Sequence, residues 1–114
     1  MKDDCIFCKI IKGEIPSTKV YEDDFVYAFL DIAPQAPFHA VIVPKAHIAS
    51  AAEIDENNSV YVSKIYEAVA KIAKKENLEK GFRVVTNCGE DGGQTVGHLH
   101  FHLLARRYLQ WPPG

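Results

Sequence analysis

The chain has 114 residues, 47% of them apolar and 25% charged, with a formal net charge of −2. This fits one globular domain over residues 1–114, small enough that self-association would add stability, and it argues against broad electrostatic binding to nucleic acid or an anionic membrane. Met1-Lys2-Asp3-Asp4 lacks the apolar stretch of a secretion signal, no apolar run approaches the ~18 residues of a membrane span, and three cysteines make no disulfide framework, so a soluble, cytoplasmic protein is expected.

Residues 5–15 carry Ile6, Phe7, Ile10, Ile11 and Ile15 and read as a short helix or turn that Pro16 ends. Two strands follow, Lys19 to Tyr21 and Phe25 to Leu30, around the turn Glu22-Asp23-Asp24. Asp31 to Pro37 is a loop stiffened by Pro34 and Pro37, and Phe38 to Val43 is a β-branched strand closed by Pro44. His47 to Glu56 fits no single element, although a turn of helix suits it. One long helix is expected from an N-cap at Asn57 or Asn58 to near Asn77. Within it Tyr61, Ile65, Ala68, Val69, Ile72 and Ala73 form a single apolar stripe, as a helix lying on a sheet requires. Phe82 to Asn87 is the next strand, Cys88 to Gly97 a glycine-rich loop and His98 to Leu104 the last long strand. Lys74-Lys75 and Arg106-Arg107 read as solvated charge, with cations favourable near a helix C-terminus. Several strands packed on one helix give an antiparallel α+β layer.

The last strand reads His98-Leu99-His100-Phe101-His102-Leu103-Leu104. If it is extended, its side chains alternate, so three imidazoles share one face and Leu99, Phe101 and Leu103 enter the core. The preceding loop has four glycines, whose freedom lets backbone N–H groups approach an anion, and Asn87, Gln94 and Thr95 add neutral donors. A metal site is one chemistry for the histidines, since His-x-His presents two nitrogens from a strand, but the run holds no carboxylate to complete a catalytic centre. Phosphoryl transfer is the other. Crowded imidazoles disfavour one another's protonated forms, which keeps one available as a nucleophile for a covalent intermediate. Separately, Cys5-Ile6-Phe7-Cys8 suits one corner of a tetrahedral zinc site, with His47 and His98 as candidates for the other ligands. Two buried small apolar cysteines fit the same pair equally well. Cys88 is a loop residue with no assigned chemistry.

In these residues the chain resembles the histidine-triad (HIT) superfamily, and within it the Hint branch of nucleoside phosphoramidases. The similarity lies in the triad at 98–104, Phe7-Cys8-Lys9-Ile10-Ile11 with Glu14-Ile15-Pro16, Asp31 to Pro37, Pro44-Lys45-Ala46-His47-Ile48, Asp91-Gly92-Gly93-Gln94 and Trp111-Pro112-Pro113-Gly114. The resemblance implies a five-stranded antiparallel sheet with one long helix and a two-fold homodimer. It implies a hydrolase that cleaves the P–N bond of purine nucleoside 5′-phosphoramidates (adenylyl-lysine, AMP-amide) through a nucleotidyl-histidine, releasing AMP and an amine, with no organic cofactor. Dinucleoside polyphosphate hydrolysis, or a nucleotide-binding scaffold with incidental catalysis, are the alternatives. His100 is carried over as the nucleophile, His102 as the α-phosphate ligand, His39 as the residue completing the imidazole cluster and His98 as the first triad member. Asn87, Gly93 and Thr95 would meet the phosphate and the leaving group, Asp31 the ribose hydroxyls, and Phe7, Ile10, Ile15, Phe29 and Ile32 the base. Cys5, Cys8, His47 and His98 match branch members that carry a structural zinc. Thr95 stands where Ser is common and Gly97 where a Tyr often sits; both bear on which amine leaves.

Overall fold

The computed structural model describes residues 2–114; Met1, part of the expected 1–114 domain and of the acidic N-terminal segment, lies outside the described residues. The elements are α1 (Ile6–Ile11), β1 (Lys19–Glu22), β2 (Val26–Leu30), β3 (Phe38–Pro44), a 3-10 turn (Ala51–Glu53), α2 (Val60–Lys75), β4 (Phe82–Val85), α3 (Gly89–Gly92) and β5 (Phe101–Ala105). The five strands form one antiparallel sheet in the order β1-β2-β3-β5-β4. Among the described residues no helix is long and apolar enough to cross a membrane.

The sheet divides the apolar side chains into two layers. On one face Ala40, Ile42, Leu99, Phe101 and Leu103 pack against Ile65, Ala68, Val69 and Ile72 of α2, the stripe that the helical period predicts. On the other face Phe29, Val41 and Val43 pack against Phe7, Cys8 and Ile10 of α1. The central strand β3 is therefore buried along its whole length. Residues paired across an antiparallel ladder share a face. The pairing of Val41 with His102 and of His39 with Leu104 thus puts His39 and His102 diagonally beside each other on the α1 side.

Several element bounds differ from the sequence-based expectation, and three of them have a local reason in the backbone. The helix begins at Val60 behind Ser59 rather than at Asn57 or Asn58, because Asn58 is engaged in the preceding turn: its Oδ1 accepts from Asp55 N at 2.8 Å and its Nδ2 donates to Glu53 O at 3.0 Å. The β4 ladder ends at Val85 rather than Asn87; beyond it the Thr86 hydroxyl donates to the His100 carbonyl at 2.8 Å. The last strand is paired only over 101–105 rather than from His98. Opposite it β3 ends at Pro44, which has no N–H to extend a ladder, and Leu99 N instead donates to Ile48 O at 2.6 Å. The alternation survives that change, since Leu99 is buried in the helix-side core while His98 lies against the cysteines of α1.

Leu103 is fully buried at the centre of the helix-side layer. Leu103→Ala is expected to cost about 2–5 kcal/mol of stability, measurable as a lowered midpoint in urea unfolding.

Candidate functional site

On the α1 side the sheet carries an open cleft of about 420 Å³. Phe7, Ile10, Ile15 and Phe29 form its apolar end, where the Phe7 and Phe29 rings meet edge-on at 5.6 Å. Ile32 stands fully exposed at the rim. At the polar end are His100 and His102, with Asp31 and Thr95 on the walls. The Phe7 ring also packs edge-on against His100, 5.0 Å between centroids.

Hydrogen bonds assign the proton on each ring, because a neutral imidazole donates through one nitrogen and accepts through the other. His100 Nδ1 lies 2.7 Å from the His98 carbonyl; it must donate, which leaves the lone pair on Nε2. Gln35 N donates to His39 Nδ1 at 3.0 Å, so the His39 proton is on Nε2. His39 Nε2 lies 2.8 Å from His102 Nδ1 and donates to it, so His102 carries its own proton on Nε2. The site therefore combines one nucleophilic nitrogen and one N–H donor on rings whose centroids are 5.2 Å apart. Burial holds His39 below the ordinary imidazole range despite the nearby Asp31 carboxylate. His102 is lowered to about 4, by burial first and then by the neighbouring His100 and His39.

A carboxylate does reach these histidines, from the end of β2 rather than from the triad itself. Asp31 Oδ2 lies 3.4 Å from His39 Nε2 and 4.0 Å from His102 Nδ1. Asp31, His39 and His102 are close enough to hold a metal, but a ring ligates through its lone pair, and His39 Nε2 carries the proton. The Asp31 carboxylate instead lies beside that N–H, with its Oδ1 accepting from Ala33 N at 2.8 Å.

A second cluster lies under α1. Cys5 Sγ is 3.3 Å from His98 Nδ1, Cys8 Sγ is 3.6 Å from the same atom, and Cys8 Sγ is 3.4 Å from His47 Nδ1. All four donor atoms lie within 4.8 Å of one another. Tetrahedral zinc with sulfur at about 2.3 Å and nitrogen at about 2.05 Å separates the two ligand types by about 3.6 Å, so the donor set and its spacing fit the ion. His98 Nε2 donates to the Pro44 carbonyl at 3.0 Å, which turns the Nδ1 lone pair toward the thiols. Burial lowers His98 to about 4, lowers His47 and raises the Cys8 thiol. The histidines are thus kept neutral as ligands, and a cation beside Cys8 would favour its thiolate.

Residues 12–109 match the HIT domain. The chain belongs to the HIT family. It is 49% identical over 111 residues to a 14 kDa zinc-binding protein of Zea mays, covering 96% of this chain and 87% of that one. It is 43% identical over 111 residues to adenylylsulfatase HINT1 of Arabidopsis thaliana, covering 96% and 76% of the two chains. A crystal structure of a HIT family hydrolase from Legionella pneumophila Philadelphia 1 superposes with a TM-score of 0.94 at 47% identity, covering 97% of this chain and all of that one.

Within this HIT chain the expected residues separate into three groups. Phe7, Ile10, Ile15, Phe29, Asp31, Ile32, Thr95, His100 and His102 all line the cleft, and His39 sits one hydrogen bond behind His102. His98 faces away from this group, with both ring nitrogens engaged by the cysteine cluster and the Pro44 carbonyl. Asn87 and Gly93 do not line the cleft. The glycine-rich loop is not an open cradle of donors either. Residues 89–92 close into the single helical turn α3, where a loop was expected, with Gly93 at φ 79° ending it. Gly93 N donates to Glu90 O, Gly89 N to Gln94 Oε1, and Gln94 Nε2 to Ala49 O and Val96 O. These N–H groups are used to shape the loop. The sequence reading missed Ile6, Val41 and Val96 as cleft walls. Val41 was within reach, since it follows His39 by two residues on one strand. The role of the Gln35 amide was not, because a backbone N–H leaves no residue-type signal.

The sign of the pH dependence follows from His102. The unfolded ring titrates near its ordinary 6.5 and the folded ring near 4. Between those values the unfolded chain binds the extra proton, so stability falls as pH drops through that window. Urea unfolding at several pH values across this window should show the decline, and His102→Gln should make its slope shallower.

Proposed function

We propose that residues 1–114 act as one HIT domain, a nucleotide hydrolase that cleaves the P–N bond of purine nucleoside 5′-phosphoramidates. The observation that carries this reading is the pair of tautomers at the cleft: His100 Nε2 with a free lone pair and His102 with N–H on Nε2. The apolar end around Phe7, Ile10, Ile15, Phe29 and Ile32 suits a planar base, and the Asp31 carboxylate suits ribose hydroxyls. His100 Nε2 attacks phosphorus, the P–N bond breaks, and the leaving nitrogen takes up a proton from solvent and departs as the amine. Water then attacks the nucleotidyl-histidine, the Nε2–P bond breaks, a proton goes to solvent and the nucleoside monophosphate is released. His102 donates to a phosphate oxygen throughout, and its own proton is held in place by His39. Thr95, on the cleft wall, faces the leaving group. Family membership, a relative named adenylylsulfatase and a structural relative named hydrolase support this reading.

The Cys5, Cys8, His47 and His98 cluster is proposed as a structural zinc site that ties α1 to the chain before β5; the named zinc-binding relative supports it. The zinc would be a tether only, and no step of the chemistry passes through it. A two-fold homodimer and a cytoplasmic location belong to the same proposal.

Full-length protein is expected to hydrolyse an adenosine 5′-phosphoramidate bearing a fluorogenic amine, faster than it cleaves a diadenosine polyphosphate. His100→Ala should abolish turnover and keep AMP binding, and quenched wild-type reactions should show an AMP adduct on the peptide containing His100. Turnover that survives in His100→Ala removes the nucleophile and with it the reading. Metal analysis should find about one zinc per chain. The Cys5→Ser, Cys8→Ser double variant should lose it and melt at a lower temperature; a native preparation that is metal-free and melts no higher than the double variant would overturn the tether.

A further inference from the structure

Arg107 was read from the sequence as one half of a solvated basic pair, and its side chain is exposed. Its contacts are nevertheless specific. The guanidinium donates to the Gln35 carbonyl through both Nε at 3.3 Å and Nη2 at 2.9 Å, across 72 residues of chain. Nη1 donates to the Tyr108 carbonyl at 3.0 Å. Among the described residues no carboxylate lies within ion-pair distance of it, whereas its neighbour Arg106 pairs with Glu76 at 3.3 Å. Arg107 is therefore placed to hold backbone rather than to neutralise an acid. Its planar fork gives a geometry that a flexible ammonium does not reproduce.

The held residue is the one that sets the tautomer of His39. Gln35 offers its carbonyl to Arg107 and its N–H to His39 Nδ1, and its side-chain amide donates to Ala33 O at 2.9 Å. If Gln35 turns away, only the Asp31 carboxylate, 3.4 Å from His39 Nε2, still favours the proton there, and the Nδ1-protonated ring becomes accessible. His39 Nε2 would then present a lone pair to His102 Nδ1. The His102 proton would have to move to Nδ1 to keep the contact, leaving no donor at the cleft. A backbone amide on a proline-bounded loop thus bears on which atom of His102 is protonated, and Arg107 holds the carbonyl of the same residue.

We propose that Arg107 is a positioning residue: by clamping the Gln35 carbonyl it aims the Gln35 N–H at His39 and so keeps the proton of His102 on Nε2, facing the cleft. The value of that proton for catalysis rests on the hydrolase reading above, in which a phosphate oxygen accepts from His102; the tautomer itself does not.

The test is ring-nitrogen NMR on the 15N-labelled, zinc-loaded full chain near neutral pH without substrate, with phosphoramidate kinetics run in parallel. Wild type should show His39 and His102 both protonated on Nε2. Arg107→Ala should show mixed tautomers at both rings with an unchanged melting temperature. Its kcat should fall about five- to tenfold, the effect of weakening one neutral hydrogen bond, that from His102, while KM for the nucleotide stays within about twofold. Arg107→Lys should recover part of both effects. Arg106→Gly removes the adjacent charge without touching Gln35 and should leave both rings as in wild type. Rings that stay Nε2-protonated in Arg107→Ala, or that shift as far in Arg106→Gly, overturn the clamp whichever bond the enzyme proves to cleave.

Discussion

The antiparallel register of β3 against β5 is the constraint on which the site rests. Setting Val41 opposite His102 places His39 diagonally beside that ring, within a 2.8 Å hydrogen bond. Because the side-chain period of a strand is two, a slip of β5 by one residue would carry the His102 imidazole into the helix-side core and Leu103 and Phe101 onto the cleft. The layer that Phe101 and Leu103 form with Ile42, Ile65 and Ile72 resists that slip, since it would lose both of the β5 side chains. Packing on one face of the sheet thereby enforces chemistry on the other.

Two residues of spacing separate two different jobs along the triad. His100 and His102 face the cleft, while His98 belongs to a pocket of thiols and its ring is wholly buried. The change happens where β3 ends. The Pro44 carbonyl accepts from His98 Nε2 and so orients that ring, and the His98 carbonyl accepts from His100 Nδ1 and orients the next. The cysteine cluster and the His100 ring are thus linked through a single residue, His98. The described residues leave no buried side-chain nitrogen or oxygen without a partner, which is what holding four neutral rings in fixed tautomers requires.

Much of this was legible along the chain. The α2 stripe, the β-branched β3 and the alternation of the triad follow from periods of 3.6 and 2, which depend only on local geometry. The apolar residues expected around a base do converge on one cleft, and the Cys-x-x-Cys pair does meet His47 and His98. The readings that failed share a cause. Asn58 looks like a helix cap and the glycine-rich loop like an anion cradle; in each case the fold gives the groups a nearer partner than the one their residue type suggests.

Element type, the face of each strand and the chemical kinds of the site residues were settled by the order of amino acids, because they depend on neighbours within a few positions. The protonated atom of each imidazole was settled only by folding. It depends on a carbonyl at Pro44, an amide at Gln35 and a carboxylate at Asp31, groups brought beside the rings by the sheet order and the loop between β2 and β3. A backbone group has no identity in sequence, and its direction exists only once the chain around it is packed.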